Sequence, residues 1–210
     1  MEKIFLIGGG GHCKSCIDVI EKENKYEIAG IFDIHINNKE KLFNYNYLGS
    51  DEKINDFMHI TNKAHISIGA IKNCANREKI YNELKIKGIE FPVIISSLSY
   101  ISKYAIIEEG SIIMHNALIN ASANIQKNSI INSNALIEHD VTIGEHSHIS
   151  TSAVINGGCV IGSKVFIGSN SVINNQIKIA DNVIVGSGSV VISDINDAGI
   201  YAGIPAKKIK

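Results

Sequence analysis

Several features common in other protein classes are missing from this chain. Tryptophan is absent among its 210 residues. No apolar run approaches the roughly 18 residues that a membrane-spanning helix needs. The formal net charge is −1, so no global field draws the chain to nucleic acid or to an anionic membrane. The four cysteines, Cys13, Cys16, Cys74 and Cys159, have no framework spacing, which fits a reducing compartment. The eight histidines and the carboxylates form no ligand-spaced cluster, so no metal is expected. The N-terminal Met1–Ile7 runs straight into glycines without a signal-peptide cleavage pattern. A cytoplasmic protein is the expectation. Apolar residues make up 45% and charged residues 20%, ordinary for a globular chain.

What is present divides near residue 97. Before it, short apolar runs alternate with helix-like stretches. Strands are expected at Lys3–Ile7, Glu27–Asp33, Ala64–Gly69 and Phe91–Ile95. Helices are expected at His12–Glu23, from a Ser50-Asp51 cap to about Phe57, and from an Asn73 cap to about Lys87. That alternation predicts a small Rossmann-like parallel α/β domain over residues 1–96.

After it, the period is six. From Ile101 through Ile107, Ile113 and onward to Val185 and Val191, every sixth residue is Ile or Val. The residue two before each, from Ser99 and Ala105 to Val183 and Ser189, is small or aliphatic. Neither the 3.6 period of a helix nor the 2.0 period of a strand explains six. A left-handed parallel β-helix over residues 97–194 does, because each hexapeptide supplies one short strand and one turn. Three hexapeptides close a triangular coil, so residues eighteen apart stack. At roughly 4.8 Å per coil, the prism is on the order of 25 Å long. Residues 195–210 form a tail expected to close its end. A regular outward Thr ladder would suit an ice-binding solenoid, but the outward residues are irregular: Lys127, Glu138, His139, Asp140, Glu145, His146 and Lys164. A scaffold solenoid remains the structural alternative.

Gly8-Gly9-Gly10-Gly11-His12 lies between a strand and a helix. Backbone amides at a helix start bind phosphate, and glycine permits close approach. Gly8 and Gly10 fit G-x-G-x-x-G, but Cys13 stands at the third glycine, which argues against a redox dinucleotide. Asp33 ends the second strand, where an acid can accept bonds from a ribose or base; His35 is nearby. Cys13-Lys14-Ser15-Cys16 has redox-pair spacing, but no thioredoxin-like elements follow it. In the repeat, Ile137 points inward and His139 faces out at a turn beside Asp140. A histidine titrating near neutrality, with a carboxylate fixing its tautomer, suits general-base work. Cys159 points inward and is no nucleophile. His146 and His115 are expected on solvated surface.

The glycine-rich start, Ile31-Phe32-Asp33, the run Asn132–His148 (NSNALIEHDVTIGEHSH) and Ala202-Gly203-Ile204-Pro205-Ala206-Lys207 together resemble a known group. The chain is similar to bacterial sugar acetyltransferases that join a nucleotide-sugar-binding domain to a left-handed β-helix. That group includes N-acetyltransferases of nucleotide-linked 4-amino sugars and sialic acid O-acetyltransferases. The resemblance implies acetyl-CoA as co-substrate, a homotrimer with sites between subunits, and His139 with Asp140 as the catalytic pair. Amino-sugar members carry Glu where this chain has Asp140. It also implies that Gly8, Gly10, Gly11, His12, Asp33 and Asn132 bind the nucleotide-linked sugar. His148, Gly157, Gly168 and Ser187 would then contact coenzyme A, with a Gly157 backbone N–H as oxyanion donor. Transfer to the amine of a 4-amino-trideoxy sugar is the expected reaction, and O-acetylation of a sialic acid or related nonulosonic acid is the alternative.

Overall fold

The computed structural model describes residues 1–35, 40–71 and 74–210. The expected Asn73 cap lies outside them. The N-terminal sheet contains β1 (Glu2–Ile7), β2 (Tyr26–Phe32), β3 (Lys41–Leu42), β4 (Tyr45–Gly49) and β5 (Ala64–Ile66), in the order β3-β4-β2-β1-β5. All pairs are parallel except β3–β4. The β3–β4 hairpin has short mixed runs, and sequence patterning gave no sign of it. Helix α1 (Gly11–Glu23) buries Cys13, Cys16, Ile17, Val19 and Ile20 and ends on Asn24 in the left-handed region. Asp51–Phe57 is a 3-10 helix, and Ser50 makes no side-chain cap bond. Helix α2 spans Ala75–Ile86.

The strand expected at Phe91–Ile95 is shorter and serves elsewhere. It is β6 (Ile94–Ile95), and it pairs in parallel with Ile112–Ile113 as the first rung of the β-helix. The reason is visible in the six-residue series, which extends back to Ile95. Ile94 faces outward and is buried beside Cys16 and Ile17 of α1.

From β6 onward, two-residue strands stack into a three-faced left-handed prism. Face 1 runs from β6 through Ile112–Ile113, Ile130–Ile131, His148–Ile149 and Phe166–Ile167 to Val183–Val185. Face 2 runs from Tyr100–Ile101 through Leu118–Ile119, Leu136–Ile137, Val154–Ile155 and Val172–Ile173 to Val190–Val191. Face 3 runs from Ile106–Ile107 through Asn124–Ile125, Thr142–Ile143 and Val160–Ile161 to Lys178–Ile179. The second residue of each rung points inward, and from Ile113 to Val191 these form one continuous buried core. Truncating one of these isoleucines to alanine costs about 2–5 kcal/mol by the usual core scale. The small inward residues do more than save space. Ser129 and Ser147 hydroxyls donate to the carbonyls of Gly144 (3.2 Å) and Gly162 (2.9 Å), fastening the inner wall of each corner. Cys159 occupies the same inward column, fully buried, with its thiol pushed up by burial.

A third period-six series closes the corners. Every sixth residue from Gly110 to Gly188 has a positive φ, between 54° and 73°. Five of these positions hold Asn: 116, 128, 134, 170 and 182. Asparagine is the side-chain-bearing residue that best tolerates this region. Corner geometry therefore accounts for these five asparagines.

The tail extends face 1. Gly199–Gly203 pairs in parallel with Val183–Val185 and then antiparallel with Ala206–Lys208, and Tyr201 and Ala206 pack on the prism core.

Candidate active site

The corner between faces 2 and 3 presents His139. Its Nδ1 lies 2.8 Å from an Asp140 carboxylate oxygen. Asp140 is the left-handed residue of this corner, at φ 60°. That turn carries its short side chain back to the imidazole, so one methylene fewer than Glu still reaches. With Nδ1–H donating to the carboxylate, Nε2 keeps its lone pair. The hydrogen bond to Asp140 raises the His139 pKa above the ordinary histidine value. One coil further along, Gly157 leaves room for the ring, because a Cβ there would stand 2.7 Å from Cε1 and 2.8 Å from Nε2. Glu138 accepts from the Asn120 amide at 2.8 Å and from the His139 backbone N–H at 3.3 Å.

The corner between faces 1 and 2 presents a different set. Asn132 and His148 meet there, with the Asn132 amide 3.1 Å from His148 Nε2. His148 points outward from the prism as expected, but it is only 4% exposed. The Ala70 carbonyl accepts from its Nδ1 at 2.9 Å, and His12 and Phe166 pack beside the ring. Both nitrogens are thus engaged in one neutral tautomer, and burial lowers its pKa to about 4. Gly168 and Ser187 lie one coil apart on this corner, with a Gly168 Cβ position 2.4 Å from the Ser187 nitrogen.

A cleft of about 460 Å³ opens in the N-terminal domain, lined by Gly8, Gly10, Gly11, His12 and Asp33, along with Ser67 and residues of α2. Gly8 takes φ +100° against Ile68. Gly10 and Gly11 face open space, so their backbone is accessible to a ligand. The Asp33 carboxylate accepts from the backbone N–H groups of Gly9 (2.5 Å) and His35 (2.6 Å), and so orders the glycine loop. His12 is also kept neutral, with burial lowering its pKa to about 3.

The expected site residues therefore fall into two groups within one chain. Gly8, Gly10, Gly11, His12, Asp33, Asn132, His148, Gly168 and Ser187 lie along the N-terminal domain and the corner between faces 1 and 2. His139, Asp140 and Gly157 lie on the corner opposite face 1, the edge farthest from that domain. Two expectations of solvated surface are corrected. His146 is 2% exposed, packed against Tyr81 and bonded to Asn128 at 2.8 Å. His115 bridges Ser96 (2.6 Å) and Asp18 (2.7 Å), linking the prism to α1. Both histidines look outward from the prism, and the domain docked on face 1 covers or engages them. Sequence reading also passed over His65 and Arg77, both fully buried. A charged residue on a helix with mixed patterning gives no sign that it is inside.

Buried neutral histidines make the fold acid-sensitive. His12, His65 and His148 all have lowered pKa values, caused first by burial. Below about pH 6.5 the unfolded chain takes up protons that the native chain refuses. Stability is then lost at up to about 1.4 kcal/mol per pH unit for each histidine as pH falls from 6.5 toward 4. Thermal melts from pH 7 to pH 4.5 should show a steep fall in Tm; a flat Tm would contradict this burial.

The chain thus joins a hexapeptide prism, with a histidine–carboxylate pair on one open corner, to a glycine-loop domain docked on one face. Known proteins agree. Residues 3–84 match the PglD N-terminal domain family, and residues 122–157 and 158–193 each match the bacterial transferase hexapeptide (six repeats) family. The acetyltransferase domain of PglB from Neisseria gonorrhoeae FA1090 is similar over 100% of both chains, at 26% identity and TM-score 0.92. The same domain in complex with acetyl coenzyme A is similar over 99% of both chains, at 26% identity and TM-score 0.91. PerB from Caulobacter crescentus, in complex with CoA and GDP-perosamine, is similar over 99% of this chain and 97% of its own, at 25% identity and TM-score 0.92. No curated protein matches the sequence significantly. The chain is an acetyltransferase that joins a PglD-like N-terminal domain to bacterial transferase hexapeptide repeats, and it shares the whole fold of the PglB acetyltransferase domain.

Proposed function

We propose that this enzyme moves the acetyl group of acetyl-CoA to the amine of a nucleotide-linked 4-amino-trideoxy sugar for bacterial glycan synthesis. It would work in the cytoplasm as a homotrimer, with His139 as general base. The observation that carries the chemistry is the His139–Asp140 pair, whose Nε2 has no hydrogen-bond partner among the described residues and lies over Gly157. The sugar amine attacks the thioester carbonyl as Nε2 takes its proton. The oxyanion of the tetrahedral intermediate is stabilised by a backbone N–H, for which Gly157 is the candidate. Collapse expels the coenzyme A thiolate, which recovers the proton from His139. No acyl-enzyme is needed, since Cys159 is buried.

Trimerisation accounts for the division of the site. The outward residues of face 2 are Tyr100, Leu118, Leu136, Val154, Val172 and Val190, an apolar stripe the full length of the prism. Faces 1 and 3 carry no such stripe outside the area that the N-terminal domain covers: Asn124, Thr142 and Lys178 interrupt face 3. Three prisms turning face 2 toward a common axis bury that stripe. The same rotation brings the face 1/2 corner of each copy beside the face 2/3 corner of the next. Asn132, His148, Gly168 and Ser187 of one chain then meet His139 and Gly157 of its neighbour. The cleft between them suits acetyl-CoA, and the glycine loop holds the nucleotide. Both relatives with bound ligands carry coenzyme A or its acetyl form, and PerB also carries a nucleotide-linked amino sugar.

A thiol-release assay with acetyl-CoA and a panel of UDP-, GDP- and dTDP-linked amino sugars tests this reading. Release with a nucleotide amino sugar, and none with a free nonulosonic acid, is the expected result. Release with the free nonulosonic acid alone would establish the O-acetyltransferase alternative.

A further inference from the structure

The cleft in the N-terminal domain poses an electrostatic problem. Its lining includes Asp33, Asp51, Glu52 and Glu83 against a single lysine, Lys79, whose ammonium is 3.7 Å from Glu83. A nucleoside diphosphate adds further negative charge. The amides at the start of α1 offer only a partial positive charge.

A full positive charge lies behind the cleft wall. Arg77, on the α2 face that turns toward the prism, is 1% exposed. Its Nη1 donates to the Ile68 carbonyl at 3.0 Å and to the Ile66 carbonyl. Its Nε donates to the Asn128 carbonyl at 3.2 Å, and Nη2 to that of Gly110 at 3.5 Å. Ile66 and Ile68 flank Ser67 in the cleft wall, whereas Asn128 and Gly110 belong to the prism. All these partners are backbone carbonyls. Among the described residues no carboxylate forms an ion pair with Arg77. Carbonyl dipoles solvate a guanidinium without cancelling its charge, and in a buried setting that charge reaches further than at a surface. The cleft histidine His12 feels it, since Arg77 adds to the burial that keeps its ring neutral.

We propose that Arg77 is the buried countercharge of the nucleotide cleft. It ties the wall at residues 66–68 to the prism, and its charge attracts the diphosphate of the nucleotide-linked substrate. Arg77 touches no substrate, so it is a positioning residue. The proposal rests on the nucleotide reading of the cleft.

Calorimetric titration with UDP and GDP, each beside its nucleoside, tests it in three chains: the unaltered protein, Arg77→Lys and Arg77→Gln. Both variants keep donors for the carbonyls, but only lysine keeps the charge. Circular dichroism and melting curves identify which variants are folded. The preferred diphosphate should bind Arg77→Gln about tenfold more weakly than Arg77→Lys, with the gap closing as salt rises. Nucleoside affinity should be the same in both. Equal diphosphate losses in the two folded variants, or a parallel loss of nucleoside affinity, would overturn the countercharge while leaving the cleft's nucleotide role intact. If Arg77→Gln does not fold, the comparison is read from Arg77→Lys against the unaltered chain. Retention within about threefold supports the charge, and a loss as large as tenfold overturns it. No binding of UDP or GDP by the unaltered protein would overturn both the cleft reading and this proposal.

Discussion

Replacing His139 with alanine should lower kcat by about 10²- to 10⁴-fold, the range for loss of a positioned general base. The assembly should persist, because the side chain is largely exposed and contributes nothing to the prism core. Sedimentation of the variant checks the assembly, and the thiol-release assay checks turnover; near-normal turnover would remove His139 from the mechanism. Asp140→Asn tests the same pair by pH. If His139 is the base, as proposed, its neutral imidazole is the working form, and kcat/KM should rise with pH through the His139 pKa. Asp140 holds that pKa up. Asparagine lets it fall, so the rising limb moves to lower pH while the plateau drops with a weaker, less firmly oriented base. A limb that stays in place would show that another group controls it.

The second large effect concerns how the site is shared. Gly10 has an ordinary φ of −78°, and a Cβ there meets nothing within 4 Å. Gly10→Glu should fold normally, put a carboxylate at the proposed diphosphate site, and lose activity. His139→Ala should be inactive for a different reason. Coexpressing the two in equal amounts should restore about a quarter of the unaltered activity, because half the sites receive an intact cleft and half of those an intact neighbouring histidine. A site completed within one chain predicts no recovery. Purified mixed assemblies, assayed beside each inactive parent, decide between the two.

Much of this was legible in the residues. The Ile and Val series from 101 to 191 fixed the prism, because an inward column must be apolar at every sixth residue whatever surrounds it. The small series two residues earlier showed which positions line the corners from within. The left-handed series from Gly110 to Gly188 was equally present, but besides asparagine and glycine it is spread over five residue types, Ser, Asp, His, Lys and Gln, so composition alone did not reveal it. Helix α1 and the central strands were legible for the same reason as the prism: their apolar periods follow local geometry. The β3–β4 hairpin was not, since its short strands carry little pattern.

The sequence by itself determined the inside and outside of the prism, the glycine loop, and the His139–Asp140 pair, which are adjacent residues on one turn. Only the tertiary structure decided what covers the outside. Docking of the N-terminal domain on face 1 buried His146 and His148, engaged His115 and enclosed Arg77, all through contacts between residues far apart in the chain. It also showed that His139 stands on the opposite edge. A period records which way a side chain points from its own coil, and it holds no information about which distant surface will come to lie against it.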